Sequence, residues 1–259
     1  MKRLRVLMTR QEVVPDRLSG ATVVVIDVFM ATTTLLTILE NGARGVYPVA
    51  NLQEAEEAMA KLDASGVLRG GEQDAAWIEG YDHGPFPEEY APGVVRDKDV
   101  IFVTTNGTRA VAEASPADRV LLGTLRNAPA VARHLEEADT ESIYFVCAGS
   151  GGRFAVEDFL GAATIISEMD VEGWRLNDGA WLALDFAERH KEDVSGALER
   201  SRAGRWFVEN DRMDTFDFVA DVGASDVVPE VVRGKLRPAG EPEEGPSSGA
   251  NDADQGGTA

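Results

Sequence analysis

The sequence predicts an α/β protein: a three-layer α/β/α arrangement around a mostly parallel sheet, with further helices in the C-terminal third. Three observations predict it. Short apolar runs recur along the first 169 residues, helical patterns separate them, and the runs are apolar throughout instead of alternating. Strands buried on both faces read that way, and a helix between successive strands is the crossover that a parallel sheet requires.

Thr22–Asp27 is a buried strand ending on a carboxylate, and it leads into an apolar helix over Ala31–Glu40 that Asn41-Gly42 closes. Val46–Val49 reads as a strand and Leu52–Leu62 as an amphipathic helix. Val67-Leu68 opens a third strand and Val100–Val103 forms a fourth, followed by a helix starting near Thr108. Val120–Leu122 and Ser142–Cys147 complete the strands, with a helix over Ala128–Glu137 between them. After Met169 the texture changes: Trp174–His190 and Val194–Asn210 read as helices and Phe216–Val222 as a further strand. The chain therefore divides into a phosphate- and metal-binding α/β region over 1–170, a mostly helical region over 171–236 packed on it, and a tail over 237–259. That tail is Pro, Gly, Ser, Glu and Asp with hardly an apolar residue, so it is expected to be disordered.

The 259 residues carry 45 acidic and 25 basic side chains, a formal net charge of −20. Lysine appears only at positions 2, 61, 98, 191 and 235, so arginine supplies most of the positive charge. Such a field repels nucleic acid and anionic membrane, and neither is expected as a partner. The acidic excess reads as adaptation to a salty cytosol, because the C-terminal tail supplies only a small part of it. Met1-Lys2-Arg3 does not open a signal-peptide pattern, and no apolar run is long enough to span a bilayer. The single cysteine, Cys147, fits a reducing compartment. A cytoplasmic homo-oligomer acting on a small molecule is the expectation.

Ligands of an open parallel sheet bind beyond the C-terminal ends of its strands. Those ends carry Asp27 with Thr32-Thr33-Thr34, Gly70-Gly71-Glu72, Thr104–Thr108 and Cys147–Arg153, each expected to precede or open a helix. Segments of this kind aim backbone N–H groups and a helix dipole at an anion, and four at one sheet edge point to a phosphate-bearing ligand. The candidate phosphate contacts are Thr32, Thr33, Thr105, Asn106, Gly107, Thr108, Arg109, Gly149 and Arg153. Asp27, Glu72, Asp82, Glu157 and Asp158 supply hard oxygen ligands suited to Mg²⁺, with Asp27, Glu72 and Asp82 as the leading metal set. Asp27, Asn106, Glu157 and Asp158 are the candidate catalytic residues. The bland reading of Glu157-Asp158 is a pair of helix-capping acids, whereas a charge ending an apolar strand, as at Asp27, needs a partner.

These residues carry a resemblance. Asp27-Val28-Phe29 followed by Ala31-Thr32-Thr33-Thr34 resembles the D-V-F-R-A-T-T-T signature of the 2-phosphosulfolactate phosphatase family. Gly70-Gly71-Glu72 with Gly80-Tyr81-Asp82 and Gly84 is similar to its second motif. Thr104–Arg109 is similar to its T-T-N-G-T-R segment, and Cys147-Ala148-Gly149 through Glu157-Asp158 to its fourth. The likeness extends over roughly residues 1 to 235. It implies an α/β/α fold, Mg²⁺ dependence and hydrolysis of 2-phospho-3-sulfolactate to sulfolactate and phosphate, a step of coenzyme M biosynthesis. Met30 and Gln73 stand where the family commonly has arginine, and Pro85-Phe86 replaces an Asn-Ser pair. The expectation is therefore a phosphatase of shifted substrate range, with Arg109, Arg126 and Arg153 as candidates to replace the missing cations. Two alternatives stand beside it: a non-catalytic metabolite-binding homologue, and a cysteine-dependent phosphatase using Cys147 and Arg153 in the C-x-x-x-x-x-R pattern.

Overall fold

The computed structural model describes residues 1–138 and 140–241. The α/β expectation is met. Alternation begins with β1 (Arg3–Leu7), β2 (Thr22–Ile26), α1 (Ala31–Glu40), β3 (Gly45–Val49), α2 (Leu52–Met59) and β4 (Val67–Gly71). It continues through the short α3 (Pro92–Val95), β5 (Asp99–Val103), α4 (Gly107–Ala114), β6 (Arg119–Gly123), α5 (Ala128–Glu137), β7 (Ser142–Cys147) and α6 (Val156–Ser167). The C-terminal third adds β8 (Arg175–Leu176), α7 (Asp178–His190), α8 (Val194–Glu199), α9 (Arg202–Glu209), α10 (Met213–Ala220), β9 (Pro229–Val232) and β10 (Lys235–Pro238).

Among the described residues ten strands join one sheet in the order β4-β5-β3-β10-β9-β6-β2-β7-β1-β8. Its two halves, β4-β5-β3 and β6-β2-β7-β1-β8, are each parallel. Between them the β9–β10 hairpin pairs antiparallel to β6 and β3. β2 shows why its run is apolar throughout. Val24 and Ile26 enter the core against α5, α6 and α7, while Val23 and Val25 enter the opposite core against α1 and α4.

The C-terminal expectations need correction in four places. Phe216–Val222 is not a strand: Phe216–Ala220 is the C-terminal part of α10, because Thr215, Phe216 and Val219 turn inward at helical spacing. Trp174–His190 is not one helix: Arg175–Leu176 is an edge strand, and Asn177 ends it by accepting from the Ala180 amide at 2.9 Å, which starts α7 at Asp178. Val194–Asn210 is divided at Ser201, whose hydroxyl accepts from the Gly204 amide at 2.9 Å and starts α9. The tail boundary at 237 cuts β10, since Arg237 and Pro238 pair with Glu230 and Pro229 across the hairpin. Arg233 and Gly234 turn that hairpin at φ 52° and 80°, the left-handed pair a two-residue loop needs. Residues 171–236 therefore do more than pack on the α/β region; they contribute the hairpin that joins the halves of its sheet. Residues 242–259 lie outside the described residues. Among the described residues no helix is long and apolar enough to cross a membrane.

Candidate active-site cleft

The strand ends of β2, β4, β5 and β7 open into a cleft of about 1020 Å³. Asp27, Glu72, Thr105, Asn106, Gly149, Glu157 and Asp158 all line it, so the structure brings together most of the acids that the sequence nominated. Helices α1, α4 and α6 begin at this edge, and their N-terminal amides and dipoles favour negative charge there. The Gly70-Gly71-Glu72 segment differs from the expectation, because it runs into an irregular loop and opens no helix. Gly71 sits at φ 117°, and a Cβ on it would collide with the Val103 carbonyl.

Asp27 is the centre of the arrangement. It is buried, and its Oδ2 would lie 2.6 Å from a Cβ on Gly107, so only glycine lets α4 begin this close to the carboxylate. Burial pushes the Asp27 carboxyl up to about 7, with the Glu72 and Glu157 charges adding to the shift and the Ala31 and Met30 amides opposing it. Asp158 is also raised well above the carboxylate range, by burial first and then by Asp27 and Glu157.

The two neighbouring acids of α6 have different roles. Asp158 accepts from the Val28 amide and from the Gly149 amide, each at 2.9 Å, and so ties the loop after β2 to the loop after β7. Glu157 is as deeply buried, yet its Oε2 finds no hydrogen-bond partner among the described residues. A buried carboxylate oxygen without a donor is costly unless a ligand completes it. Capping explains neither acid: Asp158 is spent on the two loops, and Glu157 Oε2 is left open. Glu72 resembles Asp158: its Oε1 accepts from the Thr105 amide at 2.7 Å, and its Oε2 from the Ala75 amide and the Thr105 hydroxyl at 2.7 and 2.8 Å.

Several expected contacts serve the scaffold instead. The Thr32 hydroxyl accepts from the Asp27 amide at 3.0 Å and lies 2.8 Å from the Asp27 carbonyl, and Thr33 donates to the Val28 carbonyl at 2.9 Å. Thr108 exchanges hydrogen bonds with Thr104 and is fully buried. In each case the tight turn from strand to helix leaves backbone groups unpaired, and the threonine satisfies them. Asp82 does not line the cleft; its carboxylate is taken by the Arg69 amide at 2.8 Å on the edge strand. Arg109 points its Nε at the Ala50 carbonyl, 3.4 Å away, and Arg153 is exposed; neither lines the cleft. Arg126 is held elsewhere, donating to the Phe218 carbonyl at 2.7 Å with its guanidinium over the Phe218 ring. Asn106 does face the cleft, and among the described residues nothing pairs with its side-chain amide.

Cys147 is buried in the core, and burial, with Asp158, Glu12 and Glu157 adding to it, pushes its thiol well above the usual range. A thiol held protonated and away from the cleft is a poor nucleophile, so the cysteine-phosphatase reading fails on this geometry. Sequence reasoning also missed the cleft's own cations. Arg202, which opens α9, and Arg212, which precedes α10, line a second wall of the cleft, contributed by the C-terminal helices. The signal for them was weak, because they lie in helical sequence without a motif.

A parallel sheet whose strand ends gather buried acids and helix N-termini in one cleft defines a small-molecule enzyme scaffold of the α/β class. The chain belongs to the 2-phosphosulpholactate phosphatase family, whose profile matches residues 7–234. Its relatives include proteins named "probable 2-phosphosulfolactate phosphatase" from three organisms. That of Caldanaerobacter subterraneus subsp. tengcongensis is 34% identical over 219 residues, covering 83% of this chain and 89% of the relative. That of Symbiobacterium thermophilum is 34% identical over 226 residues, 85% and 95% respectively. That of Clostridium perfringens strain SM101 is 41% identical over 169 residues, 64% and 68%.

Proposed function

We propose that the protein is a Mg²⁺-dependent phosphatase that hydrolyses the phosphate monoester of a 2-hydroxy acid, 2-phosphosulfolactate or a relative, and releases inorganic phosphate. Family membership supports the reaction class, and one structural observation carries the mechanism: Asp27 and Glu157 are buried together, with a Glu157 oxygen left without a donor. Among the described residues no three His, Cys, Asp or Glu side chains form a closed metal cage. Mg²⁺ does not require one, since it takes one or two carboxylates and keeps several waters. Asp27 and Glu157 fit it, because a hard cation beside them would offset the burial, and the lesser repulsion from Glu72 and Glu157, that raise Asp27. Asp82, expected in that set, is not proposed. A bound Mg²⁺ would polarise phosphate oxygens and orient water.

The protein's own groups do the rest. Asn106, with its free amide at the start of α4, donates to a phosphate oxygen and stabilises charge that grows in the transition state. Asp158 and Glu72 position the loops that carry the reacting groups and take no direct part. Phosphate release from 2-phosphosulfolactate and from other phosphorylated 2-hydroxy acids, measured in Mg²⁺ and in EDTA, tests the proposal. Turnover with Mg²⁺ and none with EDTA is expected; turnover in EDTA, or none in either, sinks it.

A further inference from the structure

The class of ester is set by the apolar part of the cleft lining, and this inference rests on the phosphatase reading above. At about 1020 Å³ the cleft is at the upper end of small-molecule sites, typically about 300–1,000 Å³. A three-carbon acid fills a small part of it. Beside the acids the lining is apolar, beginning with Phe29 and Met30 on the loop that follows Asp27. The Phe29 ring stacks on Phe207 at 4.5 Å between centroids, Phe86 meets Phe207 edge-on at 6.2 Å, and Met30 lies in the same core. Trp206 abuts Phe207 at 5.1 Å while staying 47% exposed, and Trp77, 60% exposed, lines the cleft from the loop after β4. Exposed indoles in a concave site gain most when an apolar body covers them.

Positive charge in the cleft is limited to Arg202 and Arg212. Arg212 lies 4.0 Å over the Phe86 ring and 3.4 Å from a Glu88 carboxylate oxygen, so it is already matched. Arg202 has no partner among the described residues. One unmatched cation beside a wide apolar bed describes a ligand with one acid group besides its phosphate. We infer that the cleft takes the phosphate monoester of a 2-hydroxy acid whose third carbon carries an aryl or branched alkyl group in place of an anion. The phosphate lies at Asp27 and Glu157, the carboxylate at Arg202, and the apolar body on Met30, Phe86 and Trp206.

The test compares 2-phospho-3-phenyllactate, 2-phospholactate and 2-phosphosulfolactate as substrates in Mg²⁺. The phenyl ester should exceed phospholactate in kcat/KM by about tenfold or more, the gain of burying one aromatic side chain. Trp206→Ala removes an exposed ring and should bring that ratio close to one. Met30→Arg should shift preference toward the sulfonated ester. Equal rates for the phenyl and plain esters, or preference for the sulfonated ester by the unaltered protein, overturn the inference. If no ester releases phosphate, the phosphatase reading has failed, and tryptophan fluorescence titration with the same three esters still decides this one. Tighter binding of the phenyl ester than of the other two supports it, and any other order overturns it.

Discussion

The two walls of the cleft are built by opposite rules. The acidic wall comes from loops at the ends of β2, β4, β5 and β7, and most of its polar atoms are committed internally: Asp158 to Val28 and Gly149, Glu72 to Thr105 and Ala75, Thr32 to Asp27. The second wall comes from α9 and the residues after it, and presents an unmatched Arg202 and an exposed Trp206. A wall fixed by its own hydrogen bonds holds reacting groups in place, which is what transition-state stabilisation needs. A wall of exposed rings and long cations selects among ligands without setting their chemistry. Changes on the first should therefore lower kcat, and changes on the second should raise KM.

The largest effect is expected at Asp27. Asp27→Asn keeps the shape and most hydrogen bonds but removes the charge at the centre of the acid cluster. It should lower kcat by about 10³-fold or more, the scale for losing a group that acts in the transition state, with an unchanged far-ultraviolet circular dichroism spectrum. Glu157→Gln should act in the same direction. A variant of near-normal kcat at position 27 would break the contrast between the walls, because the acidic wall would then hold no reacting group.

The same division explains what the sequence made legible. The acidic wall was readable because a strand must end before Asp27 and because glycines and threonines are demanded where strands turn sharply into helices. Even there the role of individual residues was blurred. Glu157 and Asp158 are adjacent and alike in sequence, and only their hydrogen-bond partners separate the acid that ties loops from the acid left open. The threonines drew attention through polarity, yet their hydroxyls satisfy the backbone turn. The second wall was illegible because its residues come from amphipathic helices whose facing is set by tertiary packing. The β9–β10 hairpin was missed because each strand is only four residues long. Arg233-Gly234 between Val231-Val232 and Leu236 was the available signal.

A second prediction uses protons in place of substitutions. Folding raises the Asp27 carboxyl from 3.8 to about 7. Across that window the native state holds a proton that the unfolded chain has released. The contribution of this group to stability is therefore full below about pH 4 and is lost as pH rises through 7. At about 1.4 kcal/mol per pKa unit the loss is several kcal/mol at most, because Asp27 titrates together with its neighbours. On the proposed function Mg²⁺ would reverse the trend, since it would bind the ionised form and only the native state. Melting temperatures in EDTA should fall more steeply from pH 5 to 8 for the native sequence than for Asp27→Asn, and the gap between Mg²⁺ and EDTA should widen over that range. Parallel curves would show that Asp27 is not the titrating centre.

The second wall gives a smaller effect. Arg202→Gln removes the unmatched cation while keeping a polar chain of similar length. A hydrogen bond to a charged group contributes about 1.5–3 kcal/mol, so KM should rise by about tenfold or more. The kcat should stay within about twofold, as loss of uniform binding requires. A loss in kcat with KM unchanged would move Arg202 to the side of the chemistry and blur the division between the walls.

The smallest effect concerns the acids outside the cleft, and it separates them from the acids within. On the proposed function the buried acids would take a specific cation, whereas carboxylates spread over the surface respond to any salt. The chain carries a formal charge of −20, and only four of its acids lie beyond residue 241, so most of the excess belongs to the described residues. Folding concentrates that like charge and unfolding spreads it. Screening should therefore favour the native state as the Debye length shrinks from about 10 Å at 0.1 M to about 3 Å at 1 M. The opposing loss is slight, because exposed pairs such as Arg189–Asp185 and Lys191–Glu188 contribute little that salt can remove. Melting in EDTA, with KCl raised from low to multimolar concentration, isolates screening from Mg²⁺ binding. The melting temperature should climb by a few degrees, at about 2–4 °C per kcal/mol for a chain of this size. Asp27→Asn should climb in parallel, because its altered acid is buried and shielded from bulk salt. A flat or falling curve would mean that the acidic surface is no adaptation to salt, and a variant that loses the climb would mean that the repulsion relieved by KCl lies in the cleft.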